Sequence, residues 1–282
     1  MIKMRRRNDS FQISPEEFKK RIREHWDKPE IRGPNTSRFG TEAEMAAWKN
    51  FFSKELGEKR LRILDVGTGT GFLSLSLAEI GHEVVGIDLA EGMISSARKI
   101  ADDRGLDLDL VVGDAESLDF DDDSFDVVVS RWVLWTLPDP EKAISEWMRV
   151  LKPGGRAYEF GVFRPVEKDG LCRQIRQNLR FFPNIVVEEK KLQGIQSRYG
   201  NDLDGEGLEE KLPLHHIKPD SNAKEVEFFK KYGFIDLTTT LMVDADMHRM
   251  KQKGKTLQHK LVCGNYDEMM TYCLNGRKPM RW

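Results

Sequence analysis

Two hydrophobic rhythms run along this chain. From Leu61 to Phe160, short apolar runs alternate with stretches whose apolar residues recur every three or four positions, the pattern of a parallel sheet covered by helices on both faces. Arg62–Val66, Glu83–Ile87, Leu108–Val112 and Asp126–Ser130 read as four strands, and Arg156–Phe160, beyond the Pro153-Gly154-Gly155 turn, as a fifth. Helices are predicted over Phe72–Ile80, Glu91–Arg104 and Pro140–Val150, the first two stopped by Gly81 and Gly105 and the third capped by Asp139. Upstream, Ser14-Pro15-Glu16-Glu17 opens a helix with Phe18, Ile22, His25 and Trp26 on one face. A second spans Thr41–Leu56, with Met45, Trp48 and Phe52 in phase and Gly57 at its end. Residues 163–222 break the alternation with polar, glycine-containing sequence and read as an insertion. Regularity returns with a helix at Lys224–Tyr232, β-rich Phe234–Val243 and a candidate strand at Leu257–Gly264. The expectation is one elaborated α/β domain: helices over residues 1–60, a core of 61–162 and 223–265, the 163–222 insertion, and a tail of 266–282.

Composition narrows the function classes. The chain has 282 residues, 45 basic and 47 acidic side chains and 39% hydrophobic residues, an ordinary globular balance with a formal charge of −2. That balance argues against a nucleic-acid groove, although residues 1–62 are basic and 100–126 acidic. Cys172, Cys263 and Cys273 form no CxxC pair, which excludes a disulfide framework and a zinc signature and favours a reducing compartment. Met1–Arg7 is basic but runs into Asn8-Asp9-Ser10 where a secretory signal needs apolar residues, and no run approaches the roughly 18 apolar residues of a membrane span. A cytoplasmic protein with no metal site is expected.

The most informative residues join the first strand to the first core helix: Asp65-Val66-Gly67-Thr68-Gly69-Thr70-Gly71. Glycines here let the backbone approach a ligand, or else serve a tight turn alone. A dinucleotide fingerprint would place its third glycine where Phe72 stands, and no lysine follows as in a phosphate loop.

Four stretches in order, Leu64–Gly71, Val85-Gly86-Ile87-Asp88-Leu89, Gly113-Asp114-Ala115-Glu116-Ser117-Leu118, and Phe125–Ser130 leading to Leu151-Lys152-Pro153-Gly154-Gly155, resemble the class I S-adenosylmethionine-dependent methyltransferases. The resemblance is to the small-molecule group that includes the ubiquinone- and menaquinone-biosynthesis type. It implies a Rossmann-like three-layer sandwich with a seven-stranded, mostly parallel sheet in the order 3-2-1-4-5-7-6. It also implies an N-terminal helical lid, an insertion after strand five that builds acceptor specificity, and S-adenosyl-L-methionine as methyl donor. On this reading Asp65, Gly67, Thr68, Gly69 and Gly71 form the donor bend, and Asp88 accepts from both ribose hydroxyls, while Asp88-Leu89-Ala90-Glu91 also spells a helix capping box. Asp114 accepts from the adenine amino group, Ala115 supplies a backbone donor, and Leu89 and Met93 flank the ring. Trp26 and Arg38 are carried towards the methionine end by the lid, where Ile31-Arg32-Gly33-Pro34 replaces the Tyr-Asp pair of many relatives.

A sulfonium methyl donor is already activated, so placing the acceptor in line and excluding water does most of the catalytic work and no triad is required. The Asn/Asp-Pro-Pro-Tyr/Phe cluster of amino-nitrogen methylating relatives is replaced by Ser130-Arg131-Trp132-Val133-Leu134-Trp135. Arg131 stands near the donor, anchors an acidic acceptor or forms a structural ion pair, and Trp132 and Trp135 offer an aromatic wall to the sulfonium charge. No catalytic base is assigned; the acceptor-side candidates are His25, Trp135, His215 and His216. The expected function is methyl transfer to a small molecule, against the alternatives of a protein acceptor or a nicotinamide-dependent oxidoreductase.

Overall fold

The computed structural model describes residues 14–29, 41–163, 223–242 and 270–281. Seven strands form one sheet: β1 Arg62–Val66, β2 Glu83–Asp88, β3 Asp109–Val112, β4 Phe125–Arg131, β5 Leu151–Phe163, β6 Ile235–Leu241 and β7 Met270–Arg277. Their order is β3-β2-β1-β4-β5-β7-β6, with β1 to β5 parallel and β7 antiparallel to both β5 and β6. Class and strand order are those the resemblance implied.

Helices α2 (Glu42–Leu56), α3 (Phe72–Glu79) and α4 (Glu91–Asp103) cover one face, while α5 (Pro140–Val150) and α6 (Ala223–Lys231) cover the other. Local chemistry sets their ends. Thr41 Oγ1 accepts from the Glu44 N–H at 3.0 Å and Asp139 Oδ1 from that of Lys142 at 3.0 Å, each satisfying a donor the helix leaves open. Trp48 meets the Phe160 ring edge-on at 4.6 Å on one side of the sheet, and Trp147 meets Phe229 at 6.2 Å on the other. Fully burying a large apolar side chain contributes roughly 1.5–3 kcal/mol, so these two aromatic seams hold the layers to the sheet. With Met45, Trp48 and Phe52 wholly buried, α2 belongs to the sandwich itself, and among the described α-helices only α1 (Pro15–Trp26) stands outside it.

Two boundaries differ from the sequence expectation. β5 begins at Leu151 rather than Arg156, because the ladder to β4 resumes beyond the Gly154-Gly155 turn with a register shift between Phe125 and Val127. The strand between β5 and β6 is Met270–Arg277, within the residues read as a tail; the candidate strand at Leu257–Gly264 lies outside the described residues. The short apolar run at Met270–Leu274 looks terminal in one dimension. In the sheet it is buried on both faces, with Tyr272 and Leu274 in the α5/α6 core and Cys273 in the α2/α3 core.

A close approach fixes β5 against β7. Gly161 pairs with Tyr272, and a Cβ at Gly161 would lie 2.2 Å from the phenol oxygen. Gly161→Ala is therefore expected to destabilise the protein by about 1–3 kcal/mol, with part of the loss recovered in a Gly161→Ala/Tyr272→Leu double variant. Urea unfolding of the four-protein cycle measures this, and additive losses would contradict the contact.

Candidate functional site

The carboxyl ends of the parallel strands β1, β2, β3 and β4 lie along one edge of the sheet, where open α/β sheets have their crevice, and the first bend there is Gly67–Gly71. Its shape is fixed from beneath. Asp65, 1% exposed, accepts from the Ser74 backbone N–H at 3.1 Å and the Ser74 hydroxyl at 2.7 Å, so it caps α3, whose own N-cap Gly71 has no side chain to do so. Thr68 Oγ1 bonds Ser74 Oγ at 2.8 Å and the Thr68 N–H donates to Ile87 O at 2.8 Å, tying the bend to β2. Asp65 and the Thr68 hydroxyl thus support the loop from below and are directed to Ser74. Gly67 has φ +71 and lies so close to Val133 that a Cβ would come within 2.2 Å of its Cγ2. A side chain there is excluded twice, by backbone conformation and by space.

Asp88 ends β2 beside this bend. Its Oδ2 accepts from the Gly69 N–H and its Oδ1 from the Ala90 N–H, both at 2.9 Å. Burial raises its pKa to about 6; the two amide donors oppose the shift, and the negative neighbours Asp65 and Asp27 add to it. The capping-box reading of Asp88 is corrected. Helix α4 starts at Glu91 with Ala90 as an N-cap without side-chain bonds, and its Gly92 N–H is taken at 2.7 Å by Asp27 Oδ1, from the end of α1. Leu89 is half-buried and Met93 buried beside Asp88.

Beyond β3, Asp114 and Glu116 share one cation. Lys19 Nζ of α1 lies 2.6 Å from Asp114 Oδ2 and 2.6 Å from Glu116 Oε2. Ala115, between them, is buried. Helix α1 is thus anchored by Lys19 at the β3 loop and by Asp27 at the start of α4, across the end of the crevice where Asp88 and Asp114 lie. His25 is buried on its last turn, edge-on to Trp26 at 5.2 Å. Arg38, His215 and His216 lie outside the described residues.

At the β4 end, the ion-pair reading of Arg131 is realised. Its guanidinium bonds Glu44 Oε1 of α2 at 3.0 Å and stacks over Trp132 at 4.1 Å and Phe72 at 4.3 Å, locking β4 to α2. Trp132 follows with φ +63, a left-handed conformation unusual for a bulky residue and found most often where a site holds strain. Val133 turns onto Gly67, whereas Trp135 packs against the core under α5. The structure therefore places Gly67, Gly69, Asp88, Asp114, Arg131 and Trp132 along one edge of the sheet, at the carboxyl ends of β1 to β4, and packs Trp135 against the core.

Sequence reading missed Lys19, Asp27, Glu116, Glu159 and Glu225. The first three are polar residues on an amphipathic helix or a loop, indistinguishable from solvated ones until tertiary contacts pair them. Glu159 and Glu225 are 2% and 7% exposed, each with an unbonded Oε2, beside the Tyr272 hydroxyl that donates to Glu225 Oε1 at 3.1 Å. Glu159 faces Ser130 across the β4–β5 ladder. Burial, reinforced by the charge of Glu225, holds the Glu159 carboxyl well above the usual range, and burial raises Glu225 as well. A polar residue inside an otherwise apolar strand, as in Tyr158-Glu159-Phe160, is the signal that could have found it.

Comparison with known proteins agrees with this geometry. Residues 64–158 match the family described as a methyltransferase domain. The demethylmenaquinone methyltransferase of Renibacterium salmoninarum is 39% identical over 40% of this chain and 49% of its own length. The phosphatidylethanolamine N-methyltransferase of Cereibacter sphaeroides is 42% identical over 33% and 47%. Among solved structures, phosphoethanolamine N-methyltransferase 2 of Haemonchus contortus shares the fold, with TM-score 0.55 and 19% identity over 92% of this chain and 60% of that one. The chain spans about half the length of the curated relatives it matches here. Residues 64–158 thus resemble a methyltransferase domain, and they supply five of the strands in the β3-β2-β1-β4-β5-β7-β6 sheet. Among the described residues no group of three or more His, Cys, Asp or Glu could hold a metal ion, and no helix is long and apolar enough to cross a membrane.

The buried acids make stability pH-dependent. A carboxyl whose pKa is higher folded than unfolded costs nothing below the unfolded value, and its full penalty is reached once pH exceeds the folded value. The unfolding midpoint is expected to fall as pH rises from the ordinary carboxylate range towards the raised values of Glu159 and Glu225. Glu159→Gln should flatten that decline, as read by thermal melts between pH 5 and 8; an unchanged slope would contradict the assignment.

Proposed function

We propose that this protein is an S-adenosylmethionine-dependent methyltransferase that transfers a methyl group to a small-molecule acceptor in the cytosol. The observation that carries the reading is the Gly69–Asp88 junction: a glycine bend open to a ligand, bonded to an acid at the end of the neighbouring strand. A nucleoside fits there, since Asp88 keeps lone pairs for ribose hydroxyls and the space beside Gly69 is open. Asp114, half-buried beyond β3, would take the adenine amino group, and Leu89 and Met93 would line the ring, with Trp26 carried on α1 at this same end. The donor, when bound, supplies an activated methyl on a sulfonium.

The chain's own task is then to align the acceptor with the carbon–sulfur bond and keep water out, which can contribute ~7–11 kcal/mol of the barrier. Trp132, held in an unusual backbone conformation at the end of β4 with Arg131 over one face of its ring, would offer the other face to a sulfonium charge. The 163–222 insertion, with His215 and His216, would select the acceptor. The relatives' names support a small molecule or lipid headgroup. The balanced charge of the chain speaks against nucleic acid. A protein acceptor is the second reading, favoured by nothing specific in the described residues; Phe72 at the third glycine position counts against a nicotinamide enzyme.

Titration calorimetry tests the donor site. S-adenosylhomocysteine is expected to bind, and Asp88→Ala to weaken it at least about tenfold, the value of one lost charge-assisted hydrogen bond. Binding of NAD instead would overturn the reading. Because the Asp88 carboxyl has its pKa near 6 and donor hydroxyls bond the ionised form, affinity should fall as pH drops below about 6 and stay level above it. Methyl-labelled donor incubated with a demethylated quinone, a phosphoethanolamine headgroup and a cell-protein fraction separates the acceptor classes. Label in protein alone would reject the small-molecule reading.

A further inference from the structure

We propose that Lys19 is the residue that makes the donor site selective for adenine, by positioning the carboxylate of Asp114. The proposal rests on the donor-site reading above and goes beyond it, because Lys19 belongs to the N-terminal helix and would not itself touch the base.

The geometry is a closed ring of bonds. Asp114 Oδ1 accepts from the Glu116 backbone N–H at 2.9 Å, and Glu116 Oε1 accepts from the Asp139 N–H at 2.7 Å. The remaining oxygen of each, Asp114 Oδ2 and Glu116 Oε2, meets the same ammonium at 2.6 Å. Two like charges are thus clamped side by side, one of them on a Glu116 side chain only 4% exposed. An isolated surface ion pair contributes little, but removing the shared cation from this arrangement would leave a buried carboxylate uncompensated and its neighbour repelled. Burial alone would weaken the hold of Lys19 on its proton, yet the hydrogen bonds to both acids outweigh it and raise its pKa, so the cation persists across the neutral range.

The consequence is directional. With one lone pair of Oδ1 taken by the Glu116 amide and one of Oδ2 by Lys19, the Asp114 carboxylate is held in one orientation with acceptor sites to spare, its side chain 29% accessible. A carboxylate fixed this way accepts from the exocyclic amino group of adenine and repels the carbonyl oxygen that replaces it in hypoxanthine. Released from Lys19, the side chain can turn aside and accommodate either base. Discrimination against a group that cannot complete the hydrogen bond depends on the site being unable to relax.

The effect is separable from merely holding α1 in place, because Asp27 anchors the other end of the same helix without touching Asp114. The experiment is titration calorimetry of the full chain with S-adenosylhomocysteine and with S-inosylhomocysteine, for the unaltered protein, Lys19→Met, Lys19→Arg and Asp27→Ala. Expected is a preference for the adenosine ligand of about tenfold or more in the unaltered protein. That preference should shrink at least about fivefold in Lys19→Met, recover in Lys19→Arg, and persist in Asp27→Ala even if both affinities fall. Equal weakening of both ligands by Lys19→Met, with the ratio kept, would overturn the positioning role while leaving the donor site intact. Failure of the unaltered chain to bind either nucleoside would overturn the donor-site reading, and this inference with it.

Discussion

One hydrogen bond ties the glycine bend after β1 to the acid at the end of β2: the Gly69 N–H donates to the Asp88 carboxylate at 2.9 Å. It holds because β1 and β2 lie side by side in a parallel ladder, Asp65 opposite Gly86 and Val66 opposite Ile87, so both strands deliver their ends to the same height. Gly86 matters as much as the acid. It leaves room where Leu110, Ser74 and Thr68 converge, which lets the bend settle onto β2. Were the strands displaced by one residue, Asp88 would face the opposite side of the sheet, and no adjustment of the loop could recover it.

The crevice divides into two halves of different physical character. At the β2–β3 end, charge is concentrated: Lys19 pairs with Asp114 and Glu116, while Asp27, Asp88 and Asp114 are held by backbone amides. At the β4 end, aromatic rings dominate, with Arg131 enclosed by Trp132, Phe72 and Trp48 and neutralised by Glu44. A cluster of carboxylates held by backbone amides and one ammonium therefore adjoins an aromatic cage built around a guanidinium. The buried Glu159–Glu225 pair lies behind this second half, where an apolar core would have been more stable. Sites that keep such groups trade stability for chemistry or uniqueness of fold.

Much of the fold was legible along the chain. The alternation of apolar runs and helical periods defined five strands and their covering helices, and the caps at Ser14, Asp139 and Gly57 fell where short-range hydrogen bonding and backbone conformation require them. Of the candidate site, the glycine bend, Asp88 and Asp114 could be read because loop chemistry and strand ends leave local marks. Asp65 was read as a ligand group and instead caps α3 from beneath, since nothing in sequence tells which way a strand-end carboxylate turns.

What the sequence by itself determined is therefore the set of elements and the motif-bearing loops, both governed by contacts within a few residues. Only the tertiary structure decided that Met270–Arg277 is an interior strand, that Asp27 caps a helix 65 residues away, and that Lys19 closes onto acids 95 and more residues downstream. These partners share no periodicity and no neighbouring pattern. They exist because sheet order brings distant segments together, and burial then makes an unpaired charge costly enough that each finds its counterpart.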